Sequence, residues 1–91
     1  MKSNHNRKEL YEVLTKITNT SDIELLLSSL CSESELNKMA QRLYVAKLFL
    51  DGMSYKDIVN ETNASTATLA KIKFDLFYGK KGLRLGVETI A

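Results

Sequence analysis

The chain has 91 residues, 44% of them hydrophobic and 26% charged, a balance that excludes a disordered chain and allows one domain with a small interior. Its formal net charge of +2 is too weak to name a partner, and one cysteine (Cys31) with one distant histidine (His5) excludes an intrachain disulfide and a metal-ligand set. No apolar run reaches the length of a membrane span or the centre of a signal peptide, so a reducing cytoplasm is the expected setting.

There is no proline and no strand-like alternation, so the whole of residues 1–91 is expected to be one all-α domain. Leu10, Val13, Leu14 and Ile17 share one face of a first helix over Arg7 to Ile17. In the turn Asn19-Thr20-Ser21-Asp22, Ser21 or Asp22 can cap a second helix that carries Ile23, Leu26, Leu27 and Leu30. Residues 1–31 are thereby read as a pair of dimerisation helices.

Ser32-Glu33-Ser34-Glu35 has the spacing of a capping box, in which Ser32 and Glu35 satisfy each other's backbone amides. The helix it starts should run to about Leu50 and stop at Asp51-Gly52, giving a central segment 32–52. Its second half, LYVAKLFL, is apolar on nearly every face, with Lys47 its only charge. Such a helix needs neighbours on several sides, and a chain this short implies that a second copy supplies some of them. A homodimer is therefore expected.

Ser54 can cap a two-turn helix from Tyr55 to Thr62, and Asn63 tolerates the positive φ of a tight turn. Ser65 then caps a further helix with Leu69, Ile72 and Leu76 on its inner stripe. A short helix, a turn of three or four residues and a second helix, over residues 54–77, make the spacing of a helix-turn-helix. At 100° per residue the outer face of the second helix holds Thr66, Ala67, Ala70, Lys71 and Phe74. Small residues there let the backbone approach base edges. Alanine and threonine methyls suit thymine methyls, and Lys71 can reach a phosphate or a guanine edge. Side chains capable of bidentate base contacts are absent, so water and DNA shape must contribute to any specificity.

The basic segment Gly79 to Arg84 precedes a final helix over Leu83 to Ile90; it reads equally as a phosphate clamp or as a solvated turn. Phe74, Phe77 and Tyr78 are expected to pack against a partner subunit, and Cys31 to be a small buried hydrophobe. Charge is unevenly spread: residues 9–35 carry a net −5 and residues 63–91 a net +3. The expectation is a regulator that binds double-stranded DNA. Ser65, Thr66, Ala67, Thr68 and Lys71 face the bases, while Lys56, Lys73, Lys80, Lys81 and Arg84 are candidate phosphate contacts. No catalytic constellation can be assembled. The competing reading is a helical module that docks another protein without DNA.

From about Leu30 to Leu76 the chain resembles the Trp repressor superfamily, and within it the Trp-repressor-like proteins of Firmicutes (the YerC/YecD type). The stretch SESEL-x-x-MAQRLYVAKLFLDGMSYKDIVNETNASTATLAK carries the resemblance, and the tail FYGKKGLRL is similar to that branch's glycine-containing end. The resemblance implies an intertwined homodimer of about six helices per subunit, a transcriptional repressor whose two reading helices enter successive major grooves. In the tryptophan-sensing member two arginines sandwich the indole and a glycine follows the second. Here Arg42 matches the first arginine, Lys71 stands at the second and Ile72 replaces the glycine. Lysine is a poor stacking plate, and the isoleucine fills the indole's space, so tryptophan is not the expected effector. Arg42 is left as a contact for another effector or for phosphate.

Overall fold

A computed structural model describes the backbone of residues 2–90 and the side chains from His5 to Ile90. It contains six helices and, among the described residues, no strand: α1 (Lys2–Lys16), α2 (Thr20–Leu30), α3 (Glu33–Leu50), α4 (Tyr55–Thr62), α5 (Thr66–Phe77) and α6 (Gly82–Ile90). The all-α expectation holds, and none of these helices is long and apolar enough to cross a membrane. The chain divides into two compact units, Met1–Leu36 and Asn37–Ala91, with the boundary inside α3.

In the first unit α1 begins before the expected Arg7; one turn in, His5 Nε2 lies 2.6 Å from Glu9 Oε1, an exposed i,i+4 pair. The cap of α2 is Asn19, which corrects the expectation of Ser21 or Asp22. Asn19 Oδ1 accepts from the Asp22 amide at 2.9 Å while its Nδ2 donates to the Asp22 carboxylate at 2.8 Å. Asparagine offers both an acceptor and a donor, so it satisfies amide and carboxylate together, and the helix starts one residue after it. The capping box forms as expected. Ser32 N–H donates to Glu35 Oε1 at 2.8 Å, and Glu35 N–H donates to Ser32 Oγ at 3.1 Å.

No side chain between residues 5 and 36 is buried within the single chain. Leu10, Val13, Leu25 and Leu30 are exposed, and Leu14, Ile17, Ile23, Leu26, Leu27 and Cys31 are only half-buried. Cys31 is thus less enclosed than its apolar surroundings suggested.

The second unit holds the core. Val45, Ala46, Leu48 and Phe49 of α3 meet Ile58 of α4, Ala64 of the turn, Leu69, Ile72 and Leu76 of α5, and Val87 of α6. Ile58, Leu69 and Val45 are fully enclosed, and each such burial contributes about 1.5–3 kcal/mol. α3 stops because Gly52 takes φ +87°, a left-handed conformation that costs glycine nothing. Gly52 N–H then donates to Phe49 O and Met53 N–H to Leu48 O, both at 3.0 Å, the paired bonds of a Schellman end. α6 approaches α3 at Gly86, where a Cβ would stand 3.0 Å from Leu43 Cδ1. The apolar half of α3 is not enclosed all round, however: Leu43 and Tyr44 stay exposed.

Candidate nucleic-acid interface

Hydroxyl side chains set the geometry of α4 and α5. Ser54 Oγ accepts from the Asp57 amide at 3.2 Å and starts α4. Asn63 then takes φ 57° and ψ 19°, the left-handed conformation expected of it, and is the only non-glycine residue with positive φ among those described. Thr62 closes the corner from the inside. Its Oγ1 donates to Ile58 O at 2.7 Å and accepts from the Ala64 amide at 3.2 Å. Sequence reasoning missed this role; the signal was a threonine at the last helical position, two residues before an amide that the turn leaves unpaired.

Ser65 caps α5. Its Oγ accepts from the Thr68 amide at 3.1 Å and donates to Thr68 Oγ1 at 2.9 Å, so these two hydroxyls stand together at the leading end of the helix. Ala64 is buried at the corner and fixes the crossing of α4 and α5 together with Ile58, Leu69 and Ile72. Opposite that stripe, Thr66, Ala67, Ala70, Lys71 and Phe74 are all exposed, and Thr68 is half-buried. One face of α5 is therefore a smooth, singly cationic surface. Its far end is aromatic: Phe74 and Tyr78 lie with ring centroids 5.6 Å apart.

The other candidate contact cations fall into two groups. Lys56 in the first turn of α4, Lys80 and Lys81 in the turn before α6, and Arg42 on α3 are exposed. Lys73 and Arg84 lean on rings. Lys73 Nζ lies 5.1 Å from the centroid of Tyr55 and 5.8 Å from that of Phe49, and these two rings meet edge to face at 5.4 Å. The Arg84 guanidinium lies 5.8 Å from the Phe77 ring, so part of this aromatic surface is covered from within the chain.

A second tie joins α3 to α4. The Tyr44 phenol donates to Glu61 Oε1 at 2.9 Å, and that hydrogen bond, with some burial and the carboxylate's charge, raises the phenol above its ordinary value. No local pattern could have announced it, because the partners are 17 residues apart. Ile72 is buried among the core residues, whereas its neighbour Lys71 is exposed.

Residues 5–89 match the sequence model of the family described as Trp repressor protein. An uncharacterized protein of Bacillus subtilis (strain 168), YerC, is 34% identical over 86 residues, which span 91% of this chain and 83% of that protein. Among solved structures, a candidate Trp repressor from Staphylococcus aureus superposes with a TM-score of 0.87 at 28% identity, covering 94% of this chain and 86% of that one. A TrpR like protein from Eubacterium eligens ATCC 27750 does so with a TM-score of 0.84 at 26% identity, covering 91% and 86%.

Proposed function

The chain belongs to the Trp repressor family, and from that premise we propose that it is a homodimeric transcriptional regulator, a repressor, that binds duplex DNA sequence-specifically through α4 and α5. The observation that carries this reading is the division of α5. Leu69, Ile72 and Leu76 are sealed in the core, while Thr66, Ala67, Ala70 and Lys71 stand free on the opposite face. In a helix-turn-helix that free face enters the major groove. Thr66, Ala67 and Lys71 meet base edges, and the paired hydroxyls of Ser65 and Thr68 meet bases or bridging waters at its leading end. Lys56, Lys80 and Lys81 contact phosphates. Lys73 and Arg84 do so as arms stiffened by their rings, since a ring contact leaves the charge in place.

What one chain leaves uncovered supports the dimer. The apolar side chains of residues 5–36 find no interior, and the acidic charge of 9–35 complements the basic charge of 63–91. A second copy supplies the cover. Sedimentation equilibrium should return a dimer; a stable monomer at micromolar concentration would refute it. Tryptophan is not the effector of this chain. Ile72 fills space with a buried side chain, and Lys71 offers a point charge instead of a planar stacking partner. Arg42, exposed on α3, remains free for phosphate or another effector. A regulator of this kind acts in the cytoplasm, where bacterial DNA lies.

Selection from random duplex DNA at fixed salt tests the function directly. A two-fold symmetric consensus with half-sites about one helical turn apart, roughly 34 Å, is expected. Failure to be retained on DNA at low salt, with salt-insensitive binding to a protein instead, would favour the interaction-module reading. Thr66→Asp tests the placement. A carboxylate at the first position of α5 suits the helix N-terminus and keeps the fold, but it faces the phosphates and should abolish DNA affinity. Retained affinity would overturn the groove placement.

A further inference from the structure

Tyr44 takes part in two structures at once. Its ring lines an apolar groove of about 220 Å³ between α3 and α6, walled also by Ala40, Leu43, Lys47, Val87 and Ile90. Ala40, Leu43, Tyr44 and Lys47 follow i, i+3, i+4, i+7, so the groove is one continuous stripe of α3. From this stripe the Tyr44 phenol reaches out to Glu61 on α4 at 2.9 Å. Glu61 is the next-to-last residue of α4 and stands two residues before Asn63, where the chain turns into α5.

An anion at this end of a helix meets the negative end of the helix dipole, so Glu61 gains from a donor. At its other end α4 is tied to the same helix: Tyr55, its first residue, meets Phe49 of α3 edge to face. Both ends of α4 are thus fastened to α3, and the angle at which α5 leaves the corner depends on both fastenings. At the Phe49 end, Phe49 is buried and Tyr55 exposed. Of the two fastenings, the Tyr44 one is continuous with the groove.

We propose that Tyr44 is a positioning residue, which through its hydrogen bond to Glu61 sets the orientation of α4 and α5. The inference rests on the DNA-binding reading above and names how the interface is aimed. The tie holds at neutral pH, where any ordinary phenol is protonated; the hydrogen bond to the carboxylate extends that range upward.

The test uses the full chain with Tyr44→Phe, which keeps the ring in the groove and removes only the donor. Its DNA affinity should fall by about threefold to tenfold, the span of one net hydrogen bond. The salt slope and the dimer dissociation constant should stay as in the wild type. In a Glu61→Ala background the same substitution should have no further effect, because the two residues act as one pair. Equal affinity of Tyr44→Phe and wild type would overturn the inference, and so would a loss that adds in full to that of Glu61→Ala. A second readout does not depend on DNA: amide hydrogen exchange at Leu69, Ala70 and Lys71, which should be faster in Tyr44→Phe. If wild type fails to bind duplex DNA, the DNA-binding reading falls, and this exchange alone decides the tie. Unchanged exchange would sink it.

Discussion

Asn63 is the residue on which the direction of α5 turns, and its substitution can be worked through. Its φ of 57° lies in the left-handed region, where a side chain with a Cβ loses roughly 1–2 kcal/mol against its preferred conformations. Asparagine tolerates this conformation better than most residues, and glycine, with no Cβ, is free of the strain. Asn63→Gly should therefore leave stability within about 0.5 kcal/mol of wild type, since its relief of strain is offset by the entropy of a freer unfolded chain. Asn63→Ala should cost about 1 kcal/mol, and Asn63→Val about 2 kcal/mol because β-branching narrows the region further. For a chain of this size 1 kcal/mol corresponds to a fall in Tm of about 4–8 °C, readily seen by circular dichroism at fixed protein concentration. The order glycine, alanine, valine should recur in DNA affinity measured by fluorescence anisotropy, because the same corner aims α5. If valine melted with glycine, the backbone at 63 would not be held where it is described, and the account of the corner would fail.

Further outcomes follow from the same contacts. Leu69→Ala removes a fully enclosed side chain and should destabilise by about 2–5 kcal/mol in denaturant titrations; a loss below 1 kcal/mol would mean that α5 is not seated on the core. Lys73→Met keeps the aliphatic stem and removes the charge. It should weaken DNA binding on every sequence and lower the slope of log affinity against log salt by about 0.9, whereas Lys73→Arg should preserve both. An unchanged slope would show that this charge serves only Tyr55 and Phe49. Alkaline titration followed by tyrosinate absorbance should find a step above the ordinary phenol value, and Tyr44→Phe should remove that step. The sign follows from a pKa raised by folding. The Tyr44 contribution is fully present below the phenol's unfolded value and is lost as pH rises through the folded one.

What could be read in advance was local. The Ser32–Glu35 box, the Ser54 and Ser65 caps, the glycine stop at Gly52 and the left-handed Asn63 each depend on residues within a few positions of one another. Each takes the form expected. The division of α5 into a buried stripe and an exposed face was legible for the same reason, since helical periodicity alone decides it. Asn19 was misjudged because Asn19, Thr20, Ser21 and Asp22 are all competent caps. Only the starting point of α2 chooses among them. The ties that hold α4 and α5 on α3 were invisible. Tyr44 with Glu61, and Lys73 with Tyr55 and Phe49, meet across folds of the chain, and neither residue type nor spacing announces such pairs. Lys73 and Arg84 were legible as cations but not as arms resting on rings.

The unsheltered leucines of residues 5–36 have a consequence for supply. In the dimer proposed above, a chain whose residues 5–36 bury no side chain alone would complete itself on meeting a second copy, which would make folding a second-order process. Fresh copies at low abundance would linger with sticky helices on display, open to proteolysis. Above the association threshold they would become durable, and the cell would read the number of molecules in the persistence of each.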